Sequence, residues 1–331
     1  AQGLVENVQI LSSNLVQNGD FSEEGVQEVS NGSFSQEGSE IISAASWSNQ
    51  TSGTATISNG IITFANGTGY LTQSGISANT FYKFVVTLSN VTQGSFRVTT
   101  EGSVNTEILS TNGVHEFYLQ STSAGGVFII PLSNFTGSID NVSVREVGQD
   151  WTLGTGWSIA EDKAVATNVP NGQRLQTSAI IPSVIGNTYK YSLNISNISG
   201  AYTLYVYGVN VLVSVSTEGI VEGYVTATST NGAIYVSGAT VGGLVSADIT
   251  NISVKEVGMD WTLGTGWSIG DGVVINDGTS GSSDSLIYTA GFPTVSTKTY
   301  ELSVVFDSYD ITNSNAIIAM DSGAIPSSYN R

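Results

Sequence analysis

A run of 21 residues, Ile139–Ile159, returns at Ile249–Ile269 with 17 positions unchanged. Such self-similarity marks a tandem array. The displacement of 110 residues is too long for one turn of a solenoid and fits one small all-β domain. The 331-residue chain has room for three such units. Each is large enough to bury a sandwich core without covalent staples, and the sequence has no cysteine to make them. The array therefore predicts beads on a string, and the absence of thiols argues against thiol chemistry and cysteine-based zinc sites.

Charge narrows the partners. Only 11% of residues are charged, against an average of about 25%, so the polar surface must be built mainly from Ser, Thr, Asn and Gln. The net charge of −18 disfavours nucleic acid and anionic membranes, which would repel the chain. No apolar run approaches the roughly 18 residues that a membrane span requires, so no membrane insertion is expected. Ala1-Gln2-Gly3 does not read as a secretory signal. A chain processed after export would look the same, so export stays open.

The unit after Trp151 resolves into eight short extended runs separated by turn residues, with no helical period, which is the sandwich or jelly-roll pattern. Its central run alternates Tyr189, Tyr191, Leu193 and Ile195 with polar residues, predicting one buried and one wet face. Tyr82, Phe84, Val86 and Leu88 repeat the alternation in the first unit, and Tyr300, Leu302, Val304 and Phe306 repeat it in the third. In the closing runs the apolar phase slips at Asp140-Asn141 and Thr250-Asn251, predicting a bulge. The expected organisation is an arm (residues 1–13), sandwiches over 14–148 and 149–258, and a third over 259–331 that lacks a closing run as printed. Only three residues separate Val147 from Trp151 and Val257 from Trp261. Linkers that short predict a semi-rigid rod. Each bead is expected to fold alone, so that excising Gln149–Gly258 leaves the rest intact.

The first bead opens with Asn14-Leu15-Val16-Gln17-Asn18-Gly19-Asp20-Phe21 and closes with Ile139-Asp140-Asn141-Val142-Ser143-Val144. This pairing resembles carbohydrate-binding-module-like, galactose-binding-like jelly rolls. The beads with Trp-Thr-Leu-Gly-Thr-Gly-Trp-Ser-Ile resemble repeated sandwich domains of bacteriophage tail-fibre and other virion structural proteins. The resemblance covers the chain from about Asn14 onward. It implies an all-β fold of tandem antiparallel sandwiches and a non-enzymatic role in a virion appendage. It also implies a structural calcium in the first domain, with Asp20 and Asp140 as the matching carboxylates. The second bead has Thr250 at the acid's place, so no calcium is implied there. The alternative reading of Asp140 is a cap on the bulge.

Residues with chemistry fall into place around this reading. Trp47, Trp157 and Trp267 recur at one repeat position, as core anchors do, and Trp151 and Trp261 sit where beads meet. Aromatic faces also suit sugar rings. The better glycan candidates are Tyr202, Tyr205 and Tyr207, in a run with bulky groups on both faces. A second packed face is the competing reading. His115 is the sole histidine, which leaves a transition-metal site without ligands. The acidic stretch holding Glu23, Glu24, Glu28, Glu37 and Glu40 reads as a solvated loop, and nothing sets two carboxylates at a glycosidase separation. No nucleophile elbow, zinc-protease or phosphate-loop motif is present.

The sequence thus points to a fibre protein at a virion surface or otherwise outside the cell. Its expected partners are a host cell-surface glycan, other virion proteins and two further copies in a homotrimer. An ancillary carbohydrate-binding region of a secreted polysaccharide-degrading enzyme, and a bacterial adhesin or filament subunit, are the alternatives.

Overall fold

The computed structural model describes residues 16–17, 19–43, 47–49, 55–103, 105–206, 208–213, 218–238, 244–281, 284–291 and 302–306. Every regular element among them is a β-strand, as the turn-rich, helix-poor sequence requires.

The second sandwich is the clearest. One sheet runs Trp157–Ala160, Lys163–Pro170, Leu244–Val257, Thr188–Ser199, Gly219–Thr226. The facing sheet runs Trp151–Leu153, Arg174–Thr177, Tyr235–Gly238, Tyr202–Val206, Val209–Val213. The first sandwich has the same order. Its first sheet includes Ala55–Ser58, Ile61–Gly67 and Gly113–Ser121, and its second includes Ser48–Asn49, Leu71–Ile76 and Glu107–Leu109. Two long strands, Thr80–Thr100 and Gly125–Val147, run through both sheets, pairing with each other on each side of a break in register between Leu132 and Thr136. Gly94 sits at this corner with φ +71°, and a Cβ there would stand 2.6 Å from the Leu132 carbonyl oxygen. A side chain is excluded on both counts.

The alternating runs behave as their period demands. Tyr189, Tyr191, Leu193 and Ile195 are buried, as are Tyr82, Phe84, Val86 and Leu88. Each such side chain contributes roughly 1.5–3 kcal/mol of burial free energy. The predicted bulges are present. Pairing slips between Asp140 and Ser143 and between Ser192 and Asn194 opposite Thr250–Ser253, with Asn141 and Asn251 at φ 47° and 54°. Asparagine tolerates that left-handed conformation better than most residues. In the third unit, two hairpin-like pairs reproduce the start of the fold, Trp261–Leu263 with Leu286–Tyr288 and Trp267–Gly270 with Val273–Asn276. Among the described residues the expected core strand there is not formed. Leu302, Val304 and Phe306 are about half exposed and in no strand, and Tyr300 lies outside the described residues. In the other two sandwiches the closing strand flanks this run, and among the described residues no strand takes that place.

The acidic stretch is not a solvated loop. Glu24–Gln27 forms an antiparallel strand on the closing strand of the second sandwich, and Glu37–Glu40 forms one on the closing strand of the first. The boundary expected at Asn14 assigns both to the first bead. The pairing instead splits them, and the segment straps across the two. Its sequence explains why. Asn18–Ser30 and Asn31–Ser43 are one 13-residue unit repeated head to tail, sharing Asn, Gly, Phe, Ser, Glu, Gly and Ser at the same places.

The two copies dock alike. The Gln27 side-chain oxygen accepts from Val254 N–H (2.8 Å) and Val29 N–H (3.3 Å). That of Glu40 accepts from Val144 N–H (2.8 Å) and Ile42 N–H (3.3 Å). Glu28 N–H then donates to the Val254 carbonyl, and Ile41 N–H to that of Val144. Val29 and Ile42 are buried in the two cores. Acidic side chains also reach Lys255 and Arg145 on the acceptor strands and lysines on the strands beside them. Glu24 lies 2.8 Å from Lys190 and 3.0 Å from Lys255, and Glu37 lies 2.9 Å from Lys83.

The straps also fill the junctions. Phe34 packs 5.1 Å from Trp151, whose indole N–H donates to the Asn31 carbonyl, and Phe21 packs 5.1 Å from Trp261. Trp151 is buried at the junction, as its position predicts, with the strap as its partner. Each three-residue linker opens on a glycine with positive φ, Gly148 and Gly258, over which the next bead's Ile159 or Ile269 packs.

Candidate functional site

The outer face of the second sheet of the second sandwich carries a stacked pair of tyrosines outside the cores. Leu204, Val206, Val236 and Leu175 point inward and are buried, so period 2 turns Thr203, Tyr205, Tyr235, Arg174 and Gln176 outward. Register then sets them side by side. Gln176, Tyr235 and Tyr205 form one row across three strands, and Arg174, Ser237 and Thr203 form the next. The two tyrosine rings stack in parallel, with centroids 4.5 Å apart and planes within 6°. The Arg174 guanidinium lies 4.1 Å from the Tyr235 centroid, from the strand on the other side. The stack Arg174–Tyr235–Tyr205 is thus held by cation–π and ring–ring contacts. It presents two phenol hydroxyls and a fork of N–H donors, with the Gln176 amide and Thr203 hydroxyl beside them.

The three tyrosines expected from the sequence do not form one platform. Tyr205 is on it. Tyr202 is completely buried, packing 6.1 Å from Trp157, and its hydroxyl has no partner. Burial pushes that phenol's pKa strongly upward, with Asp248 adding to the shift. Tyr202 is a core residue because it shares the inward parity of Leu204 and Val206. Tyr207 lies outside the described residues. Tyr235 and Arg174 are additions from the structure. The alternation of Tyr235 with buried Ile234 and Val236 was the available signal.

The first sandwich does not repeat the stack. Phe128 holds the place of Tyr235, with Tyr70 against it at 5.8 Å, but Thr99 stands where the second sandwich has Tyr205. Trp47 and Trp157 are both buried and unavailable to a ligand, but they do not share one repeat position: register sets Trp47 in the place of Trp151, and Ala55 in the place of Trp157.

The two calcium candidates are separated. Asp140 pairs with Thr87 in the first sandwich, where its carboxylate caps the bulge by accepting from Asn141 N–H at 2.7 Å. Asp20 sits on the strap beside the third unit, its carbonyl oxygen 3.5 Å from where a Cβ on Gly272 would be. Its carboxylate accepts from Ser22 N–H. The opening motif and closing strand that the resemblance pairs belong here to different beads. Among the described residues, no three His, Cys, Asp or Glu side chains converge as a metal site. His115 contacts the Thr111 carbonyl through Nε2 at 2.8 Å on the edge of the first sandwich.

Neither a family model nor a curated protein matches the chain. Among solved structures it is similar to the N-terminal CBM22-1-CBM22-2 tandem domain of Xyn10C from Paenibacillus barcinonensis. That similarity covers 67% of this chain and 99% of the other, at 10% identity and a TM-score of 0.21.

Proposed function

We propose that the chain is a non-catalytic module of a fibre or appendage, and that its second sandwich contacts glycan through the Arg174–Tyr235–Tyr205 stack. The observation that carries this reading is the stack itself. Three large side chains lie ordered on an open, polar sheet face, where they contribute nothing to the core. Ring surface for C–H contacts next to convergent hydroxyl, amide and guanidinium groups is the chemistry a polyhydroxylated ligand needs. The net charge of −18 disfavours an anionic polysaccharide and leaves a neutral one. One shallow platform binds weakly, and repetition along a fibre, as in a trimer at a virion surface, multiplies the effect. An ancillary region of a polysaccharide-degrading enzyme would use the same platform. A catalytic domain elsewhere in the natural protein separates that reading from a virion one.

A glycan array followed by calorimetry on the best neutral polysaccharide tests the proposal. Tyr235→Ala and Tyr205→Ala should each weaken binding by about tenfold or more while melting stays close to wild type. Tyr70→Ala on the first sandwich should leave binding unchanged. Undiminished binding by both second-sandwich variants, or product release by the purified chain, would overturn it.

A further inference from the structure

The joint between neighbouring beads is built twice from matching parts. On the first sandwich, Val147, Gly148, Phe81 and Tyr118 receive the hairpin that opens the second. Phe81 and Val147 belong to the second core, Tyr118 packs against it, and the Tyr118 hydroxyl hydrogen-bonds the Glu161 backbone at the hairpin turn. A Cβ on Gly148 would stand 2.8 Å from Ile159 Cγ1. On the second sandwich, Gly258 and Tyr224 receive the hairpin that opens the third. A Cβ on Gly258 would stand 2.1 Å from Ile269 Cδ1, and one on Gly270 would stand 3.4 Å from the Tyr224 ring. Tyr118 and Tyr224 hold one register position, opposite Lys83 and Lys190. The isoleucine at the heart of each joint is closed off, with Ile159 1% and Ile269 2% exposed.

The first sandwich carries the same hairpin, uncovered. Ile57 pairs with Ile62 as Ile159 pairs with Ala164, so it has the same inward parity. Yet Ile57 is 38% exposed, and so is Ile61 across the turn. Ser58 is exposed too, whereas Ala160 in its place is half-buried and Gly270 is buried. A preceding bead cannot be delivered here as the second and third are delivered. The residues that lead into Trp47 come from the first sandwich's own strap, which ends at Ser43, and not from a closing strand. Among the described residues, both closing ends are already filled by the next bead.

We propose that the Ile57–Ile61 turn is an open copy of the joint surface, and that it takes the closing end of a like sandwich carried on a separate protein. The two joints within the chain define that partner's chemistry. Its closing strand ends on a glycine with positive φ, as at Gly148 and Gly258, because a side chain there would strike the isoleucine. A tyrosine at the Tyr118 position covers the turn. Such a contact is heterologous, with different surfaces on the two sides. It seats the rod by its first bead and directs the second and third away from the attachment point. The glycan stack lies on the second sandwich, so neither reading depends on the other.

The closing end of the second sandwich, once freed, is the probe. Residues 1–258 keep the strand pairings of the first two sandwiches and both straps. With Ile57→Asp added, this piece has one open closing end and no open turn. In sedimentation velocity the intact chain should bind one such piece, and Ile57→Asp in the intact chain should weaken binding by about tenfold or more. If the piece does not fold, the intact chain carrying Ile57→Asp and Ile269→Asp frees the same end without a cut and should bind the wild-type chain likewise. Failure of both probes to bind, or binding that Ile57→Asp leaves undiminished, would overturn the proposal. Self-association of the intact chain that Ile57→Asp abolishes would make a second copy the occupant and overturn the separate partner.

Discussion

Gln27→Ala removes a single acceptor whose loss can be followed at one amide. In the native chain the Gln27 oxygen takes the Val254 N–H at 2.8 Å and the Val29 N–H at 3.3 Å. Val254 is 1% exposed and lies directly after the bulge, so nothing in the sheet replaces the lost partner. An unsatisfied buried amide costs about 1–3 kcal/mol. A middle value of about 2 kcal/mol corresponds to roughly 30-fold in an opening equilibrium. Amide exchange by NMR should therefore show Val254 and Val29 exchanging roughly 30-fold faster, with Val144 and Ile42 in the first sandwich unaffected. Gln27→Glu should keep most of the protection at neutral pH, because Glu40 does the same work from the equivalent place. If Val254 stays fully protected in Gln27→Ala, the side-chain cap is not what holds the strap. If Gln27→Glu is as damaging as alanine, the equivalence of the two straps is wrong.

Gly32→Ala places a Cβ 2.0 Å from the Ile252 carbonyl oxygen, a backbone atom with nowhere to go. It should destabilise by about 1–3 kcal/mol, read as a lower melting midpoint and faster exchange at Ile252. Tyr202→Phe removes a buried hydroxyl that has no partner and should leave stability equal or raise it by up to about 1 kcal/mol in denaturant titration. The strap on the second sandwich, Glu24–Gln27, should loosen in acid. Bonds from Lys190 and then Lys255 hold the Glu24 carboxyl below its usual range, so its contribution is present above the ordinary carboxylate pKa and is lost as pH falls through the depressed value, below about pH 4. Glu28 works the other way, because burial and then Glu256 raise its pKa, and its protonation at falling pH relieves a cost. Exchange of strap amides against pH should show an acid limb that Glu24→Gln flattens.

What was legible in the sequence is what local periodicity encodes. The 110-residue repeat, the inward parity of Tyr189 to Ile195 and the phase slip at Asn141 and Asn251 each concern neighbours along one strand. The strap concerns partners far apart. Glu24 meets Lys190 and Lys255, and Glu37 meets Lys83. Read alone, a Gly-, Ser- and Glu-rich run has no apolar face and looks solvated. Its apolar docking residues, Phe21 and Val29 in one copy and Phe34 and Ile42 in the other, are too sparse to set a period. The repeat Asn18–Ser30 over Asn31–Ser43 was present, but its first copy was absorbed into the opening motif of the first bead. Tyr202 and Tyr205 are even and odd positions on one strand and cannot share a face. Tyr235 and Arg174 join Tyr205 only through cross-strand register, which no single run contains.

The strap changes what excision of a bead should do. If the beads were independent, removing Gln149–Gly258 would fuse Gly148 to Met259 in register and leave a shorter, intact rod. The straps forbid that simple outcome. In the fused chain Trp261 takes the place of Trp151, and the closing strand that accepted Glu24–Gln27 is gone. Phe21 and Phe34 then compete for one tryptophan, and Val29, 3% exposed in the intact chain, loses the core that buried it. Exposing Val29 alone costs roughly 1.5–3 kcal/mol, and a free strap with an unpaired edge invites association. Removing Asn18–Ser30 together with Gln149–Gly258 restores one strap per sandwich and sets Gln17 against Asn31, the same step it makes to Asn18. The double deletion should therefore melt higher than the single one, and only the single deletion should be cut readily by protease within residues 18–30. A single deletion as protease-resistant there as the intact chain, or a double deletion that melts lower, would show that the segment is a passenger on the rod rather than its fastening.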